Sequence, residues 1–397
     1  MIERIAVVGG GLVGLATARA LILRYPHLQL TILEKEDTVA AHQSGRNSGV
    51  IHSGIYYTPG SLKATLCREG RASLVSFCEE QNVAYDTCGK VIVATSEDEV
   101  ERLHGIYSRG QENEIRCEIV DPSGLRELEP AAQGVAAIHV PDAGIVDYPG
   151  VAQKLGELIT EAGGRIEKGF DVQGFERTSQ GVQVCSSNNV VAADLVINCA
   201  GLYSDRIARM AGADPGMMIV PFRGVYYELR PAARALCRNL IYPVPDPAYP
   251  FLGVHFTRMI DGSVEVGPNA VLAMAREGYS LSTWNAGDLI EAVRYKGFRH
   301  LAANHWRKGL LEMHRTVSRS AYLKALTTLV PSVSVDDLVP CRSGIRAQAV
   351  RPDGSMVDDF VIADQDDMVH VCNAPSPAAT ACLAIGEHIM DHAAQRF

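Results

Sequence analysis

The beginning of the chain has the apolar and polar spacing of a strand–helix–strand unit. The run IAVV at 5–8 contains four consecutive apolar residues, which predicts a buried parallel strand. A GxGxxG turn at 9–14 follows at once, and the alanines within 16–20 favour a helix that packs closely on the sheet. A second apolar run at 28–33 predicts another strand, which ends at Glu34. Together these elements predict the βαβ unit of a Rossmann-like α/β domain.

Similar spacing predicts helices and strands along the rest of the chain. Predicted helices cover 61–80, 97–112, 151–162, 204–210, 286–300, 306–329 and 381–394. Predicted strands cover 90–94, 165–167, 182–184, 195–198, 225–229, 251–256, 264–266, 360–362 and 368–372. The stretch 141–150 is interpreted as a turn-rich return.

The stretch 216–335 differs from its flanks, because proline-rich turns separate its strands and long helices follow them. We therefore predict a Rossmann-like nucleotide-binding domain with an inserted mixed-sheet α+β substrate domain. The nucleotide-binding domain is discontinuous and covers 1–90, 141–215 and 336–397. The substrate-binding domain covers 91–140 and 216–335.

Each glycine of the first turn has its own geometric role. Gly9 allows the tight turn, Gly11 lets the backbone approach a pyrophosphate, and Gly14 lets helix and strand pack without a Cβ between them. The diphosphate then lies on the free N–H groups at the helix N-terminus. Glu34 is placed to accept hydrogen bonds from a ribose 2′-hydroxyl and would repel a 2′-phosphate. The sequence therefore favours FAD or NAD over NADP.

Charge and cysteine content exclude several classes of protein. The chain has 37 basic and 46 acidic residues, a net charge of −9, which argues against a nucleic-acid partner. No run approaches the roughly 20 apolar residues of a membrane span, and the opening residues MIER do not form a signal peptide. The ten cysteines lack the CxxC spacing of metal sites. We therefore expect reduced thiols, no metal and a cytoplasmic protein.

Two further segments have the composition of a ligand site. Residues 42–57, HQSGRNSGVIHSGIYY, follow neither a helical nor a strand period and mix small residues with Ser, Asn, His and Tyr. Such residues suit a segment that wraps a cofactor, and a surface loop is the alternative. Residues 373–380, NAPSPAAT, lie between a predicted strand and the final helix. This turn predicts a second helix N-terminus that faces the cofactor.

The motifs together resemble the L-2-hydroxyglutarate dehydrogenase/oxidase family of the FAD-dependent D-amino-acid-oxidase-like superfamily. The motifs are GGGLVGLATA at 9–18, SGRNSGVIHSGIYYTPGSLKA at 44–64, PFRGVYYEL at 221–229, FLGVHFTRMIDGSVEVGPNA at 251–270, GIRAQAV at 344–350 and NAPSPAAT at 373–380. With the first strand they extend from residue 5 to residue 380, almost the whole chain. The resemblance implies a glutathione-reductase-type FAD-binding domain, with glycerol-3-phosphate dehydrogenases as relatives.

The resemblance also implies which residues bind a non-covalent FAD. They are Gly9, Gly11, Leu12, Val13, Gly14, Glu34, Lys35, Ser44, Asn47, Ser48, Gly49, Val50, Ala200, Gly201, Gly344, Arg346, Asn373, Ala374 and Pro375. Where the family is expected to have His-Asn-Ser-Gly, this chain has an arginine, Arg46, in place of the histidine. A role that rests on that histidine is therefore in question here, and Arg46 is a candidate partner for a phosphate or a carboxylate.

Oxidation of a 2-hydroxy acid requires a base that removes the hydroxyl proton while hydride leaves C2 for flavin N5. Histidine suits this role near neutral pH, and the candidates are His52 and His255. Glycerol-3-phosphate enzymes resemble the segment Ile51-His52-x-Gly54, with their histidine at the flavin. We therefore rank His52 first, with His255 second or as a hydrogen-bond donor to the substrate. A purely structural histidine is the alternative in both cases.

A dicarboxylate substrate needs cations or paired donors at both ends. Arginine is favoured because its planar fork meets a carboxylate through two parallel hydrogen bonds. Arg346 is the first choice for a carboxylate near the flavin and is grouped with the catalytic residues. The further candidates for substrate binding are Tyr57, Arg223, Tyr227, Arg258 and Arg342. For these, surface ion pairs or packed aromatic rings are the alternatives.

The expected function is FAD-dependent oxidation of L-2-hydroxyglutarate to 2-oxoglutarate. Electrons would pass to a quinone, to oxygen or to another flavoprotein. One alternative is an amino-acid oxidase or dehydrogenase of the same superfamily, and another is a flavin-binding subunit without turnover. An NAD-dependent dehydrogenase is disfavoured, because the return at 373–380 suits an extended FAD. Oligomeric state and peripheral contact with the inner membrane stay open.

Overall fold

The computed structural model describes residues 2–246 and 253–397. Its strands are β1 (Arg4–Val8), β2 (Gln29–Glu34), β3 (Val50–Ile51), β4 (Tyr85–Asp86), β5 (Lys90–Ala94), β6 (Glu118–Val120), β7 (Ala136–Val140), β8 (Gly144–Val146), β9 (Arg165–Lys168), β10 (Gly174–Thr178), β11 (Gly181–Cys185), β12 (Val190–Ala193), β13 (Leu195–Asn198), β14 (Met218–Leu229), β15 (Leu240–Pro243), β16 (His255–Arg258), β17 (Val264–Leu272), β18 (Leu338–Val350), β19 (Val361–Gln365) and β20 (Met368–Asn373). Its helices are α1 (Leu12–Arg24), α2 (Leu62–Gln81), α3 (Val100–Glu112), α4 (Pro122–Leu128), α5 (Tyr148–Glu161), α6 (Ser204–Met210), α7 (Ala286–Arg294), α8 (Lys296–Val317), α9 (Arg319–Leu326) and α10 (Cys382–Ala394).

The nucleotide-binding motif lies at the centre of a six-stranded sheet with the order β19-β20-β13-β1-β2-β9. β1 pairs in parallel with β2 on one side and with β13 on the other. Its side chains alternate between two cores: Ile5 and Val7 pack among residues of α1, α5 and α10, whereas Ala6 and Val8 pack with the small sheet β10-β11-β12. Both faces are therefore buried, which explains the uninterrupted apolar run.

A second large sheet has eight strands in the order β18-β14-β17-β16-β15-β5-β7-β6. Its pairs are antiparallel, apart from the parallel pair of β15 with β5. Tyr322 and Leu326 of α9 are fully buried in a core formed with β14, β16 and β17. This sheet supplies the mixed layer that the sequence predicts for the substrate-binding domain.

Most predicted elements are present within a few residues of their predicted bounds, but the helices after residue 286 are divided differently. We predicted 286–300 and 306–329, whereas α8 runs without a break through 300–306 and the chain turns at Tyr295 and Ser318. The sequence LAANH at 301–305 contains good helix formers, so nothing there interrupts the helix. Ser318 begins α9 because its side chain accepts a hydrogen bond from the Ala321 N–H.

The predicted return at 141–150 is also more regular than expected. It contains strand β8, and α5 already begins at Tyr148 with a proline in its first turn. Proline is favourable there, because the N–H it lacks would have no partner inside the helix. The end of the predicted turn-rich return is therefore the first turn of a helix.

Strand pairing places one predicted domain boundary elsewhere. We predicted that the nucleotide-binding domain resumes at residue 336, whereas β18 pairs with β14 along its whole length in the eight-stranded sheet. By hydrogen bonding, residues 338–350 therefore belong to the eight-stranded sheet. Of the predicted strand 251–256, residues 251 and 252 lie outside the described residues, and β16 begins at His255.

Two further expectations concern the whole chain. All ten cysteines lie in the described parts of the chain, and each is a free thiol. Across residues 2–246 and 253–397, no helix combines the length and the apolar character that crossing a bilayer requires.

Candidate active site

A cavity of about 610 Å³ collects the residues that the sequence singled out. Its walls come from both large sheets, since Val8 and Leu33 belong to the first and Phe222 and Tyr242 to the second. The predicted residues that line it are Gly9, Gly11, Leu12, Val13, Glu34, Lys35, Ser44, Asn47, Ser48, Val50, His52, Ala200, Gly201, His255, Gly344, Arg346, Asn373, Ala374 and Pro375. One space therefore joins the N-terminal, central and C-terminal motifs.

The first turn has the geometry that the glycines predict. Gly9 has a φ of +107°, and a Cβ there would lie 2.5 Å from the Cys199 carbonyl oxygen. A Cβ on Gly14 would lie 2.0 Å from the Gly9 carbonyl oxygen, so Gly14 packs behind the cavity wall. Gly11 is the N-cap of α1, whose first turn carries no acidic side chain. The helix N-terminus thus fits a diphosphate both sterically and electrostatically.

Glu34 is held firmly at the end of β2. The side chain is buried, and its two oxygens accept hydrogen bonds from the Gly10 N–H at 2.7 Å and the Glu36 N–H at 2.9 Å. Next to it, the Lys35 ammonium lies 2.5 Å from both Glu36 and Glu277. These acids and His42 form a group with metal-ligand spacing, but the ammonium already lies among them and supplies the positive charge.

The segment 42–50 is fastened to α1 rather than free on the surface. The Ser44 hydroxyl accepts a hydrogen bond from the Leu12 N–H at 2.9 Å. Asn47 accepts from the Gly49 N–H at 2.9 Å and donates to the Ser44 carbonyl at 2.9 Å. Gly49 lies behind the lining, with a φ of +67°. Arg46 is exposed at the cavity, with its guanidinium 4.4 Å from the centre of the Tyr279 ring.

His52 is positioned by the C-terminal motif. Its backbone N–H donates to the Thr380 hydroxyl at 3.0 Å, and this buried hydroxyl also lies 3.0 Å from the Tyr148 hydroxyl. The imidazole itself makes no hydrogen bond to the described residues, and it lines the cavity. Both ring nitrogens are therefore available to a ligand. Sequence reasoning missed Tyr148 and Thr380. Thr380 contacts His52 directly and Tyr148 contacts Thr380, although they lie more than 320 and more than 90 residues from His52 in the sequence.

His255 has a defined tautomer. Its Nδ1 lies 3.0 Å from the Gly253 carbonyl oxygen, and a carbonyl only accepts, so Nδ1 carries the proton. The lone pair is then on Nε2. The ring packs against Tyr242 with 4.1 Å between ring centres. The His255 imidazole is thus fixed by Gly253 and Tyr242 in the wall of the same cavity.

The electrostatic environment keeps both histidines neutral. Burial lowers the pKa of His52 to about 3, with further lowering by Lys90, His255, Arg346 and Lys63 in that order. Burial also lowers the pKa of His255 to about 4, although its hydrogen bond to Gly253 acts in the opposite direction. At neutral pH both imidazoles are therefore unprotonated, and each has a nitrogen lone pair.

Lys90 is a buried lysine that sequence reasoning missed. Its side chain is 1% exposed, and its ammonium lies 4.7 Å from the centre of the Tyr56 ring and 5.1 Å from that of Tyr242. Burial lowers the pKa of this ammonium to about 8. A lysine at the start of an apolar strand such as KVIVA is also typical of an exposed strand end, so the sequence does not separate it from surface lysines.

Strand alternation decides which tyrosine of the PFRGVYYEL motif reaches the cavity. Phe222, Gly224 and Tyr226 line it, because they share one face of β14. Tyr227 lies in the core on the other side, with its ring 4.8 Å from that of Tyr322. Tyr227, which we predicted as a substrate donor, is therefore absent from the cavity lining, and its neighbour Tyr226 lines the cavity instead.

The structure does not bring three of the predicted arginines into the cavity lining. Arg223 is buried and donates to the carbonyls of Gly278 and Ser280. Arg258 pairs with Asp86. Arg342 pairs with Glu265 and also donates to the carbonyls of Gly45 and Asn47. These contacts join strands and loops, which corrects the substrate-binding role expected for these arginines.

Two cations that line the cavity, Arg346 and Lys63, are both close enough to lower the pKa of His52. Arg346 lines the cavity, as predicted. Lys63, which sequence reasoning missed as a candidate, also lines it, with its ammonium 4.8 Å from the centre of the Tyr57 ring. Tyr57 is not part of the cavity lining but packs beside this lysine. A helix N-terminus that suits a diphosphate, together with neutral histidines and cations in the same cavity, is the arrangement expected of a flavin-dependent oxidoreductase.

Comparison with known proteins agrees with this class. The family model described as FAD dependent oxidoreductase matches residues 4–392. An L-2-hydroxyglutarate dehydrogenase of Indibacter alkaliphilus is 46% identical over 99% of this chain and 99% of its own length. One from Escherichia coli K12 is 45% identical over 97% of this chain and 91% of its own length. The chain therefore belongs to the FAD dependent oxidoreductase family, among its L-2-hydroxyglutarate dehydrogenase relatives.

A solved structure gives the same fold. The L-alpha-glycerophosphate oxidase from Mycoplasma pneumoniae with FAD bound superposes with a TM-score of 0.79 at 23% identity. The superposition covers 98% of this chain and 95% of that one. This likeness confirms the predicted fold class, whereas the family model and the relatives confirm the predicted family and its FAD cofactor.

Proposed function

We propose that this protein oxidises L-2-hydroxyglutarate to 2-oxoglutarate with a non-covalently bound FAD. The observation that carries the proposal is the meeting of His52, Arg346 and Lys63 in one cavity. A hydroxyl next to a carboxylate needs a base and a cation close together, and a second carboxylate needs a second cation. The names of the relatives support the same substrate.

The residues of the first turn hold the cofactor in this proposal. The N-terminus of α1 takes the diphosphate, Glu34 takes the adenosine ribose, and Asn373 to Pro375 line the flavin end. Bound FAD supplies the acceptor for the hydride that leaves C2 of the substrate.

His52 takes the proton of the C2 hydroxyl. Its imidazole lines the cavity, has no hydrogen bond to the described protein and is neutral at pH 7, because burial and nearby cations lower its pKa to about 3. Arg346 binds the carboxylate next to C2, since its guanidinium offers two parallel donors. His255, whose Nε2 carries the lone pair, is the second base candidate.

The test is product formation by the purified holoprotein with an artificial electron acceptor. L-2-Hydroxyglutarate should yield 2-oxoglutarate, and His52→Ala should lower the rate by about 10²- to 10⁴-fold, as expected for loss of a general base. His104→Ala, at an exposed site in α3, is the matched control and should keep the wild-type rate. Absence of 2-oxoglutarate with the wild-type protein would refute the proposed function.

We further propose that the electron acceptor is a quinone reached at a membrane surface. The supporting feature is the α7–α8 surface, a set of exposed apolar side chains: Leu281, Trp284, Ile290, Val293, Trp306, Leu310, Leu311 and Met313. Between residues 294 and 319 the sequence carries seven arginines or lysines and one acid. Apolar and tryptophan side chains among cations suit an anionic lipid surface.

This surface is linked to the cavity through one strand. Asn269 of β17 lines the cavity, and its side-chain amide donates to the Glu312 carbonyl at 3.1 Å and to the Thr316 hydroxyl at 2.5 Å in α8. A membrane contact at α8 would therefore place the lipid one strand away from the cavity. A second copy of the chain fits less well, because a symmetric contact would bring like charges together.

A further inference from the structure

Lys63 occupies a position where a cation does not help its own helix. It is the second residue of α2, after the Ser61 N-cap, and the first turn of this helix has no acidic side chain. Helix N-termini carry partial positive charge and favour anions, so a lysine there is disfavoured by the helix dipole. Helix stability therefore does not explain why a lysine stands at this position. Because Lys63 lines the cavity, we infer that it has a role there.

The partner of Lys63 in the protein is one that can be exchanged. Its ammonium lies 2.9 Å from the Asp358 carboxylate, but the Lys63 side chain is 12% exposed and that of Asp358 is 92% exposed. An ion pair with one side chain almost wholly in water contributes little stability. Replacement of the Asp358 carboxylate by the carboxylate of a bound molecule, as the ion-pair partner of Lys63, would therefore cost little free energy.

The Asp358 carboxylate also marks a place where an anion is favoured. Asp358 lines the cavity and acts on Arg346 and Tyr57 as well as on Lys63. Arg346 and Lys63 in turn both lower the pKa of His52, so the proposed base is within electrostatic range of both cations. Two cations and the proposed base thus share one cavity, which suits a molecule that carries two carboxylates beside its reacting carbon.

We propose that Lys63 binds the carboxylate distal to the reacting carbon, in exchange for Asp358, and thereby selects dicarboxylate substrates. This inference rests on the proposed function and assigns the second carboxylate of that substrate. Arg346 holds the carboxylate next to the hydroxyl, and Asp358 keeps Lys63 in place while the site is empty of substrate.

The experiment compares two substrates that differ only at the distal end. L-2-Hydroxyglutarate carries the second carboxylate, and L-2-hydroxypentanoate has a methyl group there. The variants are Lys63→Met, Lys63→Arg and Asp358→Asn, each with its FAD content measured by flavin absorbance. The readout is kcat and KM for each substrate with an artificial electron acceptor.

Lys63→Met should lower kcat/KM for the dicarboxylate by roughly 10- to 100-fold, mainly through KM, because a charged hydrogen bond is lost. It should leave kcat/KM for the monocarboxylate nearly unchanged. Lys63→Arg should recover part of the loss. Asp358→Asn removes the competing carboxylate and should lower KM for the dicarboxylate, an effect opposite in sign to that of Lys63→Met.

Two results would overturn the inference. An equal loss for both substrates in Lys63→Met would mean that Lys63 supports the fold of the site without choosing the substrate. If Lys63→Met does not retain FAD, the Asp358→Asn variant decides. A raised KM for the dicarboxylate in that variant would overturn the inference. Wild-type protein that oxidises neither substrate would refute the proposed function itself, and this outcome does not depend on the Lys63 variants.

Discussion

Lys90 is the residue whose burial most needs a reason. A buried ammonium is costly unless it is paired, and this one faces the Tyr56 and Tyr242 rings. It is the largest charged contribution to the lowered pKa of His52, after burial itself. Its charge therefore helps to keep both histidines in the form that can accept a proton, and it adds to the positive field that attracts a dicarboxylate.

Replacement of this charge should move the acid limit of activity. In Lys90→Met the pKa values of His52 and His255 should rise, since removal of a nearby cation makes their protonated forms less unfavourable. Activity requires a neutral base, so the acid limb of kcat/KM should move to higher pH in the variant. In the wild type that limb should lie well below the ordinary histidine value of about 6.5.

Lys154→Met is the control, because Lys154 pairs with Glu157 on the surface of α5, with its side chain 33% exposed, and its loss should leave the pH profile unchanged. Urea unfolding should also show that Lys90→Met does not lower the free energy of unfolding, since an apolar side chain of similar length replaces a buried charge. An unchanged acid limb in Lys90→Met would contradict this account of the lysine.

The sequence indicated much of the site at residue scale, with errors that have physical causes. His52, His255 and Arg346 lie in motifs, and all three line the cavity. Tyr227 was preferred to its neighbour because a motif does not show which strand face is buried, and β14 also contains a register shift between Val225 and Tyr227. Lys63 and Lys90 lack a sequence signal that separates them from surface lysines.

At the scale of elements, close contacts between the helices that pack on the six-stranded sheet depend on glycines, which have no side chain. A Cβ on Gly386 of α10 would lie 2.5 Å from the backbone of Ala16 in α1. A Cβ on Gly70 of α2 would lie 2.5 Å from the backbone of Ala381. The helix that carries the diphosphate site is therefore held by backbone contact with the final helix. This contact explains why α1 needs small residues on that face.

Gly386→Ala should push these helices apart. The clash involves backbone atoms, so we expect a loss of about 1–3 kcal/mol in the free energy of unfolding and weaker FAD retention. The control is Gly105→Ala in α3, where nothing lies within 4 Å of the added Cβ. It should raise stability by up to about 1 kcal/mol, because alanine is the better helix former. Urea unfolding of the holoproteins measures both, and equal values would contradict this packing.

The element pattern was predictable where local spacing determines it. β1, β5 and β13 have their expected character because continuous apolar runs identify buried strands. The partners of β18 were not predictable, since the motif GIRAQAV carries no information about pairing with β14 some 120 residues earlier. The boundary between α8 and α9 was not predictable either. It depends on the N-cap Ser318, and good helix formers on both sides of this serine favour one continuous helix.

At the scale of the whole molecule, charge and apolar exposure are separated. The chain carries a net charge of −9, whereas α8 and its flanks are basic and apolar. An acidic protein is repelled by anionic lipid unless a basic part of its surface faces the membrane. The α7–α8 surface is therefore the part of the described molecule that best suits a membrane contact, and it would fix the orientation of the protein there.

Vesicle sedimentation tests this orientation. The holoprotein should bind vesicles enriched in phosphatidylglycerol more strongly than vesicles of phosphatidylcholine alone, and salt should weaken the binding. A double variant, Trp306→Ser with Leu310→Ser, should lose most of it, because two exposed apolar side chains of α8 are removed. Val190→Ser, at an exposed apolar residue of β12, should bind as the wild type does. Equal binding by both variants would exclude the α7–α8 surface.

The central claim is that this flavoprotein oxidises the L-isomer of a 2-hydroxy dicarboxylate. The most direct test is an anaerobic absorbance titration of the purified holoprotein with L-2-hydroxyglutarate, followed by its D-isomer and D-alanine. We predict that the visible flavin band is lost with the L-isomer alone, because only that substrate places its C2 hydrogen and hydroxyl between the flavin and the base. Loss of the band with D-alanine and not with L-2-hydroxyglutarate would contradict the account and indicate an amine-oxidising enzyme.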